Sequence, residues 1–246
     1  MLTLAVECAT RTVSLALLED RVVRAELSVN LGKHHAETLL PALDHCLSLA
    51  GFLPSHLDLL ACTVGPGSFT GLRIGASTVK GLSLALGKPI VGVSTLEVLA
   101  MNGIPSSHKI CPILDARHDQ VYAGLYRGGA NGLPQKAGNE RLVDIQFLLQ
   151  EMGSETILFV GDGALRHETR IAAMLGENAR FAGPDSQNPR AGALGRIAVQ
   201  RYQEGESLDT VRYAPRYLRP SEAEVKSGMA PKPPGETKID IPGDVG

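Results

Sequence analysis

Glycines, hydroxyls and a helix start come together in Val64 to Lys88, VGPGSFTGLRIGASTVKGLSLALGK, and those are the parts of a phosphate cradle. The test is spacing. A P-loop needs a lysine and a hydroxyl behind its last glycine, and Gly65-Pro66-Gly67-Ser68-Phe69-Thr70-Gly71-Leu72 supplies neither there. A dinucleotide GxGxxG fails too, because Thr70 stands where the third glycine belongs. What remains is a candidate anion-contacting loop of Gly65, Gly67, Ser68, Thr70 and Arg73, with Ser68 or Thr70 capping the helix that follows.

Two other groups have chemically useful residue types. Glu7 and Asp115 each end an apolar run, where an acid beside a phosphate loop acts as base or cation ligand in phosphoryl transfer. The first is followed by Cys8-Ala9-Thr10, which lacks the glycine that lets phosphate reach the backbone. His34, His35 and His45 invite a metal reading, but two histidines share an ion on a helix when spaced i and i+4. Adjacent residues diverge by about 100°, so these are expected to be solvated or capping histidines, with no metal site. No catalytic residue is assigned.

The elements that position these groups repeat. LAVECATRTVSLALL (Leu4 to Leu18) aligns without a gap on PILDARHDQVYAGLY (Pro112 to Tyr126), each predicting a β-hairpin with an acid at its bend. LLACTVGPG (Leu59 to Gly67) likewise matches TILFVGDG (Thr156 to Gly163), each a buried strand ending in Val-Gly-x-Gly before a helix. The same order in both halves predicts a duplicated α/β unit. The turn formers of MNGIPSSHK (Met101 to Lys109) mark the boundary, giving subdomains at 1–100 and 101–224, and the proline- and glycine-rich 225–246 reads as a disordered tail.

Projected at about 100° per residue, Gly71 to Leu86 shows three arcs. Arg73, Ser77, Lys80 and Leu84 form a polar one; Leu72, Val79, Leu82 and Leu86 are expected on the sheet of their own half. The third, Gly71, Ile74, Gly75, Thr78, Gly81 and Ala85, is small enough for close approach by a helix of another chain, with Leu39 and Leu43 of the preceding helical segment completing this expected partner and dimer interface.

Composition narrows the classes. With 246 residues, 43% of them hydrophobic, and a formal charge of −2, the chain can build a substantial core and has no net electrostatic attraction for a nucleic-acid backbone. Cys8, Cys46, Cys62 and Cys111 lack CxxC or zinc spacing and read as core residues in a reducing compartment. The start lacks a basic region, and no segment stays apolar over the roughly 18 residues of a membrane span, so a cytoplasmic location is expected.

The blocks LAVECATRTVSLAL, HHAETLLPAL, VGPGSFTGLRIGASTVKGLSLA, ILDARHDQVYAGLY, VGDGA and YLRPSEAE, in this order from Leu2 to Glu224, resemble the bacterial TsaB (YeaZ) family. The resemblance implies an actin-like/sugar-kinase/Hsp70 (ASKHA) fold of two RNase-H-like halves. It implies a non-catalytic scaffold that pairs with a catalytic paralogue, TsaD, in forming N6-threonylcarbamoyladenosine at position 37 of tRNAs reading A-starting codons. The ATPase TsaE would join, tRNA would be met only through the complex, and the chain alone would form a homodimer. No cofactor is implied for this chain by itself, and ATP or ADP would enter with the assembled complex. Glu7 departs from the aspartate common at the first hairpin of that family. A stand-alone ASKHA-type phosphotransferase or ATPase is the alternative reading, and a metallopeptidase a third that no ligand constellation supports.

Overall fold

The computed structural model describes residues 1–30, 35–209 and 237–238. The chain divides into two units, one comprising Met1–Val98 with the stretch that begins at Pro189, the other running over Leu99–Asn188.

In the first unit, strands β1 (Leu2–Glu7), β2 (Thr12–Glu19) and β3 (Val22–Asn30) form an antiparallel meander. Helix α1 (His35–Ala50) follows, then β4 (Leu59–Gly65), α2 (Phe69–Leu86) and β5 (Ile90–Ser94), with β4 parallel to both β1 and β5. The sheet order is β3-β2-β1-β4-β5. A short helix α3 (Thr95–Ala100) leads to the second unit. There β6 (Lys109–Asp115), β7 (Gln120–Gly128) and β8 (Pro134–Asp144) form the meander, and α4 (Ile145–Gln150) precedes β9 (Ile157–Val160). Helices α5 (Asp162–Arg166) and α6 (Glu168–Leu175) lead to β10 (Ala179–Phe181), and the order β10-β9-β6-β7-β8 is the first sheet's order over again. A two-residue strand β11 (Thr237–Lys238) pairs with β8.

The repeat extends to single residues. Glu7 and Asp115 each end the first strand of their meander. Gly65, the last residue of β4, and Gly161, just after β9, share the same positive φ of 113°, a conformation in which a side chain would be strained.

Every residue of β1 is buried, because helices cover both faces of the first sheet. Leu4, Leu15 and Leu17 share one core with Leu39, Leu43, Cys46 and Leu47 of α1 and Val79 of α2. The opposite face takes α7 (Ala191–Gln203), and here the linear division fails: this helix falls in the expected second subdomain, 101–224, yet packs on β1 and β2 of the first unit. Two long-range features hold it. Gly195 lies so near Leu18 that a Cβ would come within 2.2 Å of its Cδ1. The helix start is held by first-unit side chains, with Gly192 N donating to Glu26 Oε1 at 2.9 Å and Ala191 N to Ser14 Oγ at 3.0 Å, while Arg190 pairs with the other Glu26 oxygen. Glu26→Ala is therefore expected to cost about 1.5–3 kcal/mol. Faster hydrogen exchange in α7 and a lower melting temperature would register it; unchanged exchange would mean that Glu26 is not the anchor. The expected tail lies outside the described residues except for Thr237–Lys238.

Candidate functional site

At the first hairpin the acid and the glycine loop meet. Glu7 is 0% exposed, and its Oε1 accepts hydrogen bonds from Ala9 N at 2.7 Å and Thr63 Oγ1 at 3.2 Å. Its Oε2 is buried with no partner. Burial dominates, pushing the carboxyl up to about 8 against the two hydrogen bonds that favour its ionised form. At neutral pH it is mainly a neutral acid.

The loop seals the bend rather than opening it. Ser68 N donates to Ala9 O at 2.7 Å, and a Cβ on Gly67 would stand 2.3 Å from that same oxygen. On Gly71 it would stand 2.0 Å from Cys8 O, and on Gly75 3.3 Å from Cys8 Cβ. These glycines let the loop and the first turns of α2 lie against the hairpin of their own unit. Ser68 is the helix cap, accepting from Gly71 N at 3.3 Å. Of the candidate anion loop, Ser68 N is thus engaged by the hairpin and Ser68 Oγ by the first turn of α2. Thr70 and Arg73 are exposed, with the Arg73 guanidinium carbon 4.2 Å from the Phe69 ring centroid.

Four residues of the expected partner interface are accordingly turned inward. Gly71 and Gly75 are buried against Cys8, and Leu39 and Leu43 belong to the core of their own unit. A helical projection alone does not tell which of two apolar sides meets the parent sheet. The rest of the arc is more open: Gly81 and Ala85 are exposed and Thr78 is half-buried, while Ile74 is half-buried against the same core. They are joined by Leu84, at 63% exposure, which the sequence pattern put among the polar residues. On α1, which packs against α2, Leu40 is 57% exposed.

His35 is corrected too. It neither faces solvent nor caps a helix: it is 6% exposed, with Nε2 2.9 Å from Thr10 O, tying the start of α1 to the hairpin turn. His34 lies outside the described residues. Among the described residues no cluster of three or more His, Cys, Asp or Glu is arranged to hold a metal ion. Nor is any helix among them long and apolar enough to cross a membrane.

Asp115 differs sharply from its counterpart. It is paired with Arg166 Nη1 at 2.8 Å, accepts from Arg117 N at 3.1 Å, and its own N donates to Asp162 Oδ1 at 3.1 Å. The turn it begins carries three successive left-handed residues, Arg117, His118 and Asp119, a strain that no glycine announced in the sequence. Nearby His167 is buried, which lowers its pKa, with Arg170 acting in the same direction.

Comparison with known proteins gives a consistent picture. Residues 29–227 match the family model described as TsaD, tRNA N6-adenosine threonylcarbamoyltransferase. The tRNA threonylcarbamoyladenosine biosynthesis protein TsaB of Bacillus subtilis is 36% identical over 229 residues, 92% of this chain and 97% of that protein. Its Escherichia coli namesake is 29% identical, over 88% and 94% of the two chains. Among solved structures, YeaZ from Pseudomonas aeruginosa superposes with a TM-score of 0.77 at 29% identity, covering 88% of this chain and 99% of that one. The fold reaches further. An activator of 2-hydroxyisocaproyl-CoA dehydratase from Clostridium difficile, with bound ADPNP, gives a TM-score of 0.51 at 12% identity over 83% and 97% of the chains. The architecture is the ASKHA fold that the family resemblance implies, and its repeated sheet order agrees with the duplicated sequence.

Proposed function

Because the chain belongs to the TsaB (YeaZ) family, and so to tRNA threonylcarbamoyladenosine biosynthesis, we propose that it serves there as a non-catalytic scaffold, docking through the outward face of α1 and α2 onto the TsaD subunit. The observation that carries the reading is the outward pair Leu40 and Leu84, 57% and 63% exposed, on helices whose inner faces are filled by their own core. Exposed leucines flanked by small residues such as Gly81 and Ala85 suit close helix packing in a four-helix contact. The same face, made two-fold, would give the homodimer when TsaD is absent. The ATPase TsaE and tRNA are reached through that assembly, and an adenine nucleotide enters with it.

The sealed hairpin favours this reading over a stand-alone phosphotransferase. A phosphate loop needs an open backbone and an ionised acid beside it, whereas here Ala9 O and Cys8 O are covered by Gly67 and Gly71 and Glu7 has no access to solvent. The test is the double variant Leu40→Asp/Leu84→Asp. With two anchors lost, affinity for TsaD is expected to fall about 100-fold or more, tRNA modification in a reconstituted system to fall with it, and thermal stability to stay unchanged. Wild-type affinity in the folded variant would place the interface elsewhere. ATPase or kinase turnover by the pure chain, lost on Glu7→Gln, would favour the phosphotransferase.

A further inference from the structure

The two units differ most in the helix after the meander. In the first unit α1 has 16 residues, and its second half brings Leu43, Cys46 and Leu47 down onto the sheet. The equivalent α4 has six residues, about 9 Å of helix against about 24 Å. It starts at the hairpin end, where Ile145 N donates to Asp119 O at 2.9 Å, and stops partway along the sheet face. Beyond its end lies a cavity of about 520 Å³.

Its floor is apolar, formed by Cys111, Ala123, Leu148 and Ile157, all buried. Its rim is charged. Arg141 pairs with Glu151, and Lys109 Nζ with Glu155 Oε2 at 2.5 Å, each bond running from a strand to the Glu151–Glu155 segment that forms the far wall. The volume is that of a small-molecule site, and an apolar chamber with a few polar groups at its mouth is the usual form of one. Lys109 opens β6 and Asp115 closes it; the floor reaches Ala123, which pairs with Ile113 two residues short of Asp115, and the charged rim at Lys109 lies roughly 20 Å along the strand from the hairpin bend.

We propose that this cavity binds a small zwitterion with an apolar body, of the size of a hydrophobic dipeptide. The charge pattern selects that class. Two cations and two carboxylates at the rim balance, so a ligand of net charge would strand one rim partner, whereas a zwitterion exchanges one ion pair for two. The exchange costs little because the carboxylate ends face solvent, with Glu151 and Glu155 side chains 50% and 59% exposed, while Arg141, 23% exposed, trades one carboxylate partner for another and is never left unpaired. The ligand carboxylate goes to the Arg141 guanidinium, which offers a two-pronged contact, and its ammonium to Glu151. Its side chains take the place on the sheet that Leu43 and Leu47 take in the first unit.

The probe is the dipeptide Leu-Phe, followed by ¹⁵N-resolved NMR of the full chain. Saturable shifts confined to the wall residues, among them the amides of Gly124, Gly138 and Gly153, are expected at submillimolar concentration. Arg141→Gln, on the rim, is expected to weaken binding tenfold or more, and so is blocking both termini as the N-acetyl amide. Ala123→Leu, which fills the floor, is expected to abolish binding; should that variant fail to fold, Arg141→Gln carries the test. No saturable shift at 10 mM overturns the proposal. Equal binding of the blocked dipeptide, or shifts that persist in folded Ala123→Leu, overturns it as well. TsaD is absent from the experiment, so its outcome is independent of the docking proposed above.

Discussion

Gly71→Ala is expected to lower the stability of the first unit by about 3 kcal/mol or more, although it adds one methyl group and replaces a poor helix former with the best one. In an open helix the change would stabilise by about 1 kcal/mol. Here the added carbon would stand 2.0 Å from the Cys8 carbonyl oxygen, and that neighbour is backbone, which cannot rotate aside. The helix must lift off the hairpin or the hairpin must distort. Gly81→Ala provides the control on the same helix: nothing lies within 4 Å of a Cβ there, so the propensity gain should appear unopposed. Thermal melts of the two variants are expected to move in opposite directions, Gly71→Ala by roughly 6–12 °C downward for a chain of this size. A Gly71→Ala protein as stable as wild type would mean that the glycine loop is not pinned to the hairpin, and the account of its sequence would fail.

That contrast also marks how far the sequence could be read. The duplication was legible because it rests on local signals: an apolar run closed by an acid, a Val-Gly-x-Gly turn, the same order twice. Those signals fix strand ends, and Glu7, Asp115, Gly65 and Gly161 stand where they put them. What was not legible depends on which surfaces meet. The periodicity of α2 identified two apolar sides, but the choice between them is made by Cys8, some 60 residues earlier in the chain, whose carbonyl leaves no room for a side chain at Gly71 and whose side chain packs on Gly75. Helix α7 belongs to the first unit for a comparable reason, since Ser14 and Glu26 supply the caps its own sequence lacks. Leu84 looked polar by association with Arg73 and Lys80, and only the burial of the opposite side reveals it as an outward apolar residue. The cavity behind α4 follows from a helix that stops early, and no residue in the sequence signals the space left behind.

Glu7 yields the prediction with the widest range. Its folded-state pKa is about 8, above the ordinary value of 4.5, with burial the first cause. Between those two values the folded chain holds a proton that the unfolded chain has released, so stability is fully present below about pH 4.5 and is lost as pH rises toward 8. The loss is about 1.4 kcal/mol per pH unit, with a ceiling of roughly 4–5 kcal/mol once both states are ionised. Glu7→Gln removes the titration while keeping an oxygen for Ala9 N and Thr63 Oγ1, and its amide takes the place of the unpartnered Oε2. Variant and wild type are therefore expected to unfold alike near pH 5, with the variant progressively more stable up to pH 8.5. Denaturant midpoints measured across that range read the difference directly. A gap that stays constant with pH would show that Glu7 is ionised in the folded protein, and an ionised acid at the first hairpin would reopen the phosphotransferase reading.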